Sequence, residues 1–479
     1  MAALWLAGSG ISDAVPQFPA CRIPGIRFEV RCGKIARPLD PSRPAGASID
    51  VQFVVVPAVS RNPRPDPVFL LAGGPGQSAI DVAGDVLPLL HRLHLRRDIV
   101  FVDQRGTGRS APLECPGAAT HTPDFATDPQ AEEREMLHCR AALERLPYIG
   151  EPANLGFFTT TIAMQDLDAV RAALGAAQLN LIGASYGSRA ALEYQRQFSA
   201  HLRRSVLDGA APPDMVLPES ASADNQAALE ALWAACAAES ACRSAFPHLA
   251  TDWTALKASL PRSVLVQDPM TGESKPLTVT TPMLLGAVRG PLYSPALAAA
   301  LPQAITNAAA GHFEGLFSLS AMLTPRRSMQ FAAGMHFSVI CAEDAPRMAA
   351  SAQSPGADFG RLFSDSYQKI CEQWPRGTVP AAFYTMPPAM QPVLILSGAL
   401  DPMTPPRHAA RVAEALGSKA RSVSVANAGH GILGVNCISD VVFRFIDAPD
   451  ESAALGVDAG CAQAIPRPLA FITARATTP

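Results

Sequence analysis

The sequence has no apolar run approaching 18 residues, so it predicts no transmembrane helix. It has little net charge, −3 over 479 residues, and no basic run, which argues against nucleic acid as a partner. Internal repeats and low-complexity tracts are also missing. Its 48% hydrophobic and 17% charged residues are enough for a sizeable core, as is typical of a large soluble enzyme.

The ten cysteines include no Cys-x-x-Cys pair, which argues against a zinc site or a dithiol redox site. Their even number favours disulfides and an oxidising compartment, periplasmic or secreted, with ten reduced buried thiols as the alternative. The apolar start of the chain, 1–8, has no positive segment before it, so it is either the remnant of a signal peptide or no signal at all. Sequential pairing is the simplest hypothesis: Cys21–Cys32, Cys115–Cys139, Cys236–Cys242, Cys341–Cys371 and Cys437–Cys461.

The most informative feature that is present is a serine between two glycines, in Gly183-Ala184-Ser185-Tyr186-Gly187. An apolar run at 179–182 precedes it, and a helix-like pattern at 188–198 follows it. A serine at such a strand-to-helix corner is a nucleophile elbow, in which the glycines avoid a clash in the tight turn. Because the pattern is loose, a chance match is the alternative, and the catalytic interpretation depends on partners elsewhere in the chain.

An acid for this serine is expected after a later strand. Asp401 follows the apolar strand pattern at 393–396, where the acid of a catalytic triad would be presented. An aspartate that caps a helix or turn before Pro402 is the structural alternative. Asp208 is a rival acid, because it also ends a predicted strand, 205–207. We favour Asp401 because the strand that leads to the candidate base comes directly after its loop.

The candidate base is His430, which lies between two glycines after an alternating strand pattern at 421–425. An open loop of this kind lets the ring reach the serine and both accept and donate a proton. Most of the other histidines lie in helix-like or polar contexts that are typical of solvated side chains. His336 is the other one to watch, because it lies next to an unusual acidic segment.

A glycine-rich loop after the apolar run at 68–71 predicts the oxyanion hole. Acyl transfer needs backbone amides aimed at the developing oxyanion, and glycine lets the backbone approach the substrate closely. We predict the amides of Gly74 and Tyr186 as donors, since Pro75 has no amide hydrogen. A plain glycine-rich turn is the alternative. This alternative is weakened because the candidate serine, acid and base follow the loop in the expected order.

Together these segments resemble the prolyl iminopeptidase family of serine peptidases, and more closely its tripeptidyl-aminopeptidase-like branch. The resemblance is carried by Gly73-Gly74-Pro75-Gly76, the Asp-Gln-Arg-Gly-Thr-Gly-Arg-Ser segment at 103–110, the elbow at Ser185, Asp401 and Gly429-His430-Gly431. The segment at 103–110 is the most specific, and the resemblance spans residues 30–463. It implies an α/β-hydrolase fold with a helical cap and the release of residues from peptide N-termini. This chain has Ala72 where the family often has histidine, which changes the expected support of the oxyanion loop.

The strand and helix patterns predict the same fold class: an α/β-hydrolase fold, with a mostly parallel eight-stranded sheet, helices on both faces and a helical cap inserted after the sixth strand. The predicted strands are 27–37, 51–56, 68–71, 99–103, 179–183, 205–208, 393–397 and 422–426. The cap is expected between Asp208 and Val393, because a gap of about 180 residues is too long for one connection. The predicted regions are an irregular leader or signal remnant at 1–28, the first part of the core at 29–210, the cap at 211–388 and the last, tripeptidyl-aminopeptidase-like part of the core at 389–479.

Inside the predicted cap, an apolar run ends in two adjacent acids, Glu343 and Asp344. An aminopeptidase needs negative charge to bind the substrate's α-ammonium group, and the family resemblance implies acidic cap residues in this role. The alternative is a helix-capping acid before Pro346.

Three functions follow from these residues, in this order of preference. The first is an aminopeptidase that releases residues from short peptides through Ser185, His430 and Asp401, without metal or cofactor. The second is a carboxylesterase that uses the same triad on small esters, since the fold serves both reactions. The third is a catalytically silent hydrolase-like binding protein, which the intact triad argues against.

Overall fold

A computed structural model describes residues 18–115, 131–267, 272–322, 331–348 and 355–473 of the chain. Its main sheet has nine strands in the order β1-β2-β3-β5-β4-β6-β7-β10-β11, and a separate pair, β8 and β9, forms a second sheet. The strands are β1 Ala20–Cys21, β2 Val30–Pro38, β3 Ser48–Val56, β4 Val68–Leu71, β5 Ile99–Val102, β6 Leu179–Ala184, β7 Leu202–Asp208, β8 Arg262–Gln267, β9 Ser274–Val279, β10 Val393–Gly398 and β11 Ala420–Val425.

The main sheet is parallel from β5 through β4, β6, β7 and β10 to β11, and antiparallel among β1, β2, β3 and β5. Strands β4, β5 and β10 are buried along their whole length, as expected for central parallel strands covered on both faces. All eight predicted strands of this sheet are present. Because catalytic loops follow the carboxyl ends of parallel strands, this arrangement brings the candidate residues to one edge.

A ninth strand corrects the predicted count of eight. Strand β1 lies inside the segment 1–28 that was predicted to be irregular, and the Cys21–Cys32 disulfide joins it to β2. Two residues are too few to show an alternating pattern, so no periodicity in the sequence marks this strand. The rest of the predicted leader, 1–17, lies outside the described residues.

Helices cover both faces of the sheet. Leu70 and Leu394 face one apolar layer, which also contains Phe445, whereas Leu71 and Ile395 face the other layer. The described helices are α1 Ala83–Val86, α2 His91–His94, α3 Ala131–Leu143, α4 Thr160–Ala173, α5 Tyr186–Phe198, α6 Glu219–Ala238, α7 Ser240–Ala245, α8 Leu249–Ala258, α9 Thr281–Leu292, α10 Pro295–Ala298, α11 Leu301–Ala309, α12 Glu314–Ala321, α13 Ala333–Glu343, α14 Ala345–Met348, α15 Leu362–Gln373, α16 Pro406–Leu416, α17 Ile438–Asp447 and α18 Glu451–Leu455. None of these helices is both long and apolar enough to cross a membrane.

The insertion between β7 and β10 contains helices α6 to α15 and the β8–β9 hairpin. Much of α6 to α12 packs around its own apolar cluster, which includes Trp253 and Phe313. Helices α13 and α15 pack instead against the core, in a cluster that includes Tyr186. The hairpin corrects the expectation of a purely helical insertion. Pro276 in β9 argued against a strand at this position, because proline in a sheet is confined to edge strands.

The cysteines form five disulfides, and the sequential pairing is confirmed at every pair: Cys21–Cys32, Cys115–Cys139, Cys236–Cys242, Cys341–Cys371 and Cys437–Cys461. Two of these disulfides lie within the insertion, and they join α6 to α7 and α13 to α15. The disulfides indicate that the protein folds in an oxidising compartment.

Candidate active site

Ser185 lies at the sharp corner between β6 and α5, with φ 55° and ψ −122°. A non-glycine residue at positive φ is strained, and such strain is concentrated at functional sites. The flanking glycines are required by close packing. A Cβ on Gly183 would lie 2.3 Å from the carbonyl oxygen of Gly187, and one on Gly187 would lie 2.2 Å from that of Leu71. The local sequence therefore builds the predicted elbow.

The neighbouring strand β7 supports this corner. The Ser185 amide donates to the carbonyl oxygen of Asp208 at 2.8 Å, which ties the elbow to the end of β7. The amide of Tyr186 belongs to the first turn of α5, where no carbonyl four residues earlier is available within the helix. Such an amide at a helix N-terminus is suited to bind an anion, as the predicted oxyanion role requires.

Asp401 and His430 form a close pair. The Nδ1 atom of His430 lies 2.9 Å and 2.8 Å from the two carboxylate oxygens of Asp401. The Asp401 carboxylate also accepts hydrogen bonds from the amides of Met403 and Thr404, both at 2.8 Å, and from the Thr404 hydroxyl at 2.7 Å. These bonds fix the carboxylate and therefore the orientation of the imidazole ring.

The pKa values of this pair follow from burial and charge. Burial alone would raise the pKa of Asp401, but the charge and hydrogen bond of His430, with the two loop amides, hold it below its usual value. Burial alone would lower the pKa of His430, and the carboxylate of Asp401 outweighs this and raises it. The pair therefore favours the charged imidazolium that forms when the ring accepts a proton.

The rival acid, Asp208, has a different position. Its carboxylate oxygens accept the amides of Ile432 and Leu433 at 2.8 Å and 2.9 Å, so it holds the loop that follows His430. The residue after Asp208 packs against the candidate pair: a Cβ on Gly209 would lie 3.5 Å from the Cε1 atom of His430. Together with the Ser185 amide bond, this contact brings the elbow and the imidazole to the same end of β7.

The glycine-rich loop lies beside the elbow. A Cβ on Gly73 would lie 3.3 Å from the Cβ of Ser185, which is closer than an ordinary contact, so glycine favours this approach. The Gly73 amide donates to the side-chain oxygen of Gln77 at 3.1 Å, which closes the loop on itself. Gly74 has a φ of 107°, a conformation that favours glycine. The glycine-rich loop therefore places its backbone next to the candidate nucleophile.

The segment at 103–110, which is the most specific part of the family resemblance, forms hydrogen bonds with the residues that follow the glycine-rich loop. Asp103 accepts the Ser78 hydroxyl at 2.7 Å and the amides of Ile80 and Arg109 at 3.1 Å and 3.0 Å. Burial raises the pKa of Asp103 to about 6, against the lowering effect of these donors. The carboxylate joins two loops at the carboxyl ends of β4 and β5, which explains the acid at the start of this segment.

Glu343 and Asp344 lie at the end of α13, and both are fully buried. Glu343 accepts the amide and the hydroxyl of Thr160 at 2.7 Å and 2.9 Å, and that hydroxyl is also 2.6 Å from the Tyr186 hydroxyl. Asp344 pairs with Arg189 of α5 at 3.0 Å and 3.1 Å and accepts the Leu217 amide at 2.9 Å. Both acids are thus already bonded to protein groups beneath the elbow helix, so this conformation does not favour their predicted amine-binding role, which stays a prediction.

Two residues that contact the candidate pair, Thr404 and Tyr293, were not predicted from the sequence. Thr404 bonds to Asp401 and lies 3.2 Å from His430, and its position three residues after the acid is the signal that was available. Tyr293 follows α9, and its carbonyl accepts the His430 amide at 3.0 Å while its ring meets the imidazole edge-on, 5.2 Å between centroids. No local pattern marks Tyr293, because the insertion brings it to the site from far away in the sequence.

The described residues contain no group of three or more histidine, cysteine or acidic side chains arranged to hold a metal ion. The prediction that the reaction needs no metal and no cofactor stays a prediction.

Comparison with known proteins agrees with this arrangement. The alpha/beta hydrolase fold family model matches residues 66–235, and the TAP-like protein model matches residues 355–456. The chain is 25% identical to serine protease Hip1 of Mycobacterium tuberculosis over 89% of this chain and 86% of that protein. It is 29% identical to a tripeptidyl aminopeptidase of Streptomyces lividans over 43% of this chain and 40% of that protein.

Two further similarities are to a protein named for another reaction, ester hydrolysis, and to a solved structure at low sequence identity. Carboxylesterase B of Mycobacterium tuberculosis is 26% identical over 81% of this chain and 78% of that protein. The crystal structure of a proline iminopeptidase from Mycobacterium smegmatis aligns with 89% of this chain and 100% of that chain at 16% identity, with a TM-score of 0.38.

The sheet, the elbow and the matching models identify the chain as an α/β-hydrolase. Within this superfamily it belongs with the tripeptidyl-aminopeptidase-like serine peptidases.

Proposed function

We propose that the chain is an aminopeptidase that releases residues from the N-termini of short peptides, with Ser185, His430 and Asp401 as a catalytic triad. The observation that carries this proposal is the 2.8 Å contact between His430 and Asp401 beside the strained elbow of Ser185. The relatives named serine protease and tripeptidyl aminopeptidase support a peptide as the substrate.

In the proposed mechanism, His430 accepts the proton of the Ser185 hydroxyl as the oxygen attacks the peptide carbonyl. The Asp401 carboxylate orients the ring and stabilises the imidazolium, in keeping with the raised pKa of His430. The amides of Gly74 and Tyr186 bind the developing oxyanion. His430 then protonates the leaving amine, and water repeats the sequence on the acyl-enzyme.

We also propose that residues 211–388 act as a cap over the triad, which excludes water and selects substrates. The contacts of Tyr293 with His430 support this role, since they link the insertion directly to the candidate base. The five disulfides support a periplasmic or secreted location.

A carboxylesterase is the second candidate, and a specific observation favours it. Glu343 and Asp344 are buried and bonded to protein groups, so neither carboxylate is open to a substrate amine in this conformation. The similarity to carboxylesterase B points the same way. A catalytically silent binding protein is the remote alternative.

Rates on free aminoacyl chromogenic amides, on their N-acetylated forms and on a short acyl ester distinguish these functions. An aminopeptidase hydrolyses the free amides much faster than the acetylated ones. Equal rates on both amides would remove the aminopeptidase proposal, and turnover of the ester alone would establish the esterase. Ser185→Ala should abolish all of these activities, whereas Ser424→Ala, on an exposed position of β11, is the matched control. Full activity of Ser185→Ala would overturn the mechanism.

A further inference from the structure

One histidine of the insertion is bonded to the glycine-rich loop. The Nδ1 atom of His336, in α13, lies 3.0 Å from the carbonyl oxygen of Pro75, and its Nε2 atom lies 2.9 Å from the Tyr367 hydroxyl of α15. The His336 side chain is 9% exposed and packs among the rings of Phe337 and Tyr367. Both ring nitrogens therefore have protein partners.

The two partners fix the protonation of the ring. A carbonyl oxygen only accepts, so Nδ1 of His336 must carry the hydrogen in its bond to Pro75. Burial lowers the pKa of His336 to about 4, so the ring is neutral near pH 7. A neutral ring leaves Nε2 as the acceptor for the hydroxyl of Tyr367. This arrangement suits a fixed donor, and it does not suit a second catalytic base.

The loop needs anchors because it is rich in glycine. Gly73, Gly74 and Gly76 leave its backbone free to adopt many conformations, and the last two are at φ 107°. The residue before the loop, Ala72, has no side chain that can form a hydrogen bond.

The insertion supplies anchors directly after Gly74. His336 holds the carbonyl of Pro75, and the Ala332 amide donates to the carbonyl of Gly76 at 2.9 Å. A Cβ on Gly76 would lie 2.8 Å from the carbonyl oxygen of Ala332, so the two backbones are in direct contact. The ring of Pro75 fixes its own φ, so a bond at its carbonyl removes most of the remaining freedom next to Gly74.

We propose that His336 is a positioning residue for the oxyanion hole: its Nδ1 hydrogen bond to Pro75 holds the loop so that the Gly74 amide faces the developing oxyanion at Ser185. The inference rests on the proposed serine-hydrolase mechanism, in which that amide is a donor. With this role for His336, the insertion both covers the proposed triad and helps to position the oxyanion hole.

The test compares His336→Phe, which fills the space without a donor, with His336→Asn, whose amide can occupy the Nδ1 position. Loss of an oxyanion donor costs roughly 10²–10³ in kcat, and a donor that is only displaced should cost less. We therefore expect kcat of His336→Phe to fall about ten- to a hundredfold, with KM changed by less than about threefold, and His336→Asn to keep most of the activity. Inhibition by phenylboronic acid, which forms a tetrahedral adduct with a catalytic serine, should weaken by the same factor as kcat.

Tyr367→Phe is the matched control, because it removes the partner of Nε2 and leaves the Pro75 bond in place. Its kcat should stay within about threefold of the wild type. An unchanged kcat in His336→Phe, an increase in KM alone, or equal losses in His336→Phe and a folded His336→Asn would each overturn the proposal. If His336→Phe does not fold, His336→Asn is compared with His336→Gln, whose amide lies nearer the Nε2 position. Equal activity of these two variants would count against the proposal.

Two measurements separate this inference from the mechanism on which it rests. Labelling of wild-type Ser185 by a fluorophosphonate tests the nucleophile, and a wild type that is not labelled refutes the proposed function itself. Hydrogen exchange of the loop at 73–77 tests the anchor without any turnover. Faster exchange in His336→Phe than in the wild type and in Tyr367→Phe is expected, and unchanged exchange would overturn the anchoring role of His336.

Discussion

The sheet core and the insertion contribute to the candidate site in different ways. In the core, Ser185, Asp401 and His430 each follow a parallel strand of the main sheet, so short local patterns predict their positions. In the insertion, Tyr293 has no local pattern that marks it, and His336 is marked only by the acidic segment that follows it. The groups of the proposed chemistry therefore lie in the core, whereas the insertion contacts the candidate base and the glycine-rich loop.

The largest expected effect is on kcat, and it distinguishes the two acids of the core, Asp401 and Asp208. Asp401→Asn should lower kcat by roughly 10⁴-fold, because the ring of His430 loses the charge and the orientation that the carboxylate gives it. Asp208→Asn should cost only about ten- to a hundredfold, through the loop amides of Ile432 and Leu433 that it holds. Steady-state kinetics of both variants check this order. A larger loss in Asp208→Asn would exchange the roles of the two acids.

The buried ion pair between Asp344 of the insertion and Arg189 of the core should matter mainly for stability. Asp344→Ala leaves Arg189 buried without its partner, which should lower the free energy of unfolding by about 3–5 kcal/mol. Asp50→Ala, at the exposed pair with Lys34, is the control and should change the free energy of unfolding little. Urea denaturation measures both. If Asp344 binds the substrate amine instead, stability should change little and KM should rise for free peptides but not for acetylated ones.

The pH dependence of activity tests the core pair. Asp401 raises the pKa of His430 above 6.5, and the base must be neutral to act, so kcat/KM should rise with pH through a value above 6.5. In Asp401→Asn this rise should move to lower pH, because the charge that stabilises the imidazolium is gone. A pH profile of the residual activity provides the measurement. A rise at the same pH in both proteins would show that another group controls it.

The pH dependence of stability tests the insertion, with the smallest expected effect. Burial raises the pKa of Glu343 from 4.5 to about 8, so its contribution to stability is complete below pH 4.5 and is lost as the pH rises through 8. The melting temperature of the wild type should therefore fall between pH 5 and 8, and that of Glu343→Gln should fall by about 2–4 °C less. Glu372→Gln, at an exposed position of α15, should behave like the wild type. Equal slopes in all three proteins would show that Glu343 is not buried in its protonated form.

The difference between the sheet core and the insertion also explains which features could be predicted from the sequence. The apolar strands β4, β6 and β10 were recognised because central parallel strands are short, continuous apolar runs, and the loops after them contain the candidate residues. The interpretation of Glu343 as an amine-binding acid could not be tested by pattern, since the burial of this side chain depends on which helix packs against it. The hairpin β8–β9 was not predicted because its strands are short and because Pro276 in β9 is typical of a loop.

The sequence alone predicts the positions of eight strands of the main sheet, the nucleophile elbow, the candidate base and the preference for Asp401, and it offers sequential disulfide pairing as the simplest hypothesis. These features depend on residues that are close together in the chain, where sterics and periodicity act directly. Only the tertiary structure decided that Asp208 holds a loop, that Glu343 and Asp344 lie beneath the elbow helix, and that His336 anchors Pro75. The physical reason is that hydrogen bonds between residues more than a hundred positions apart depend on how whole elements pack, and no local pattern records that packing.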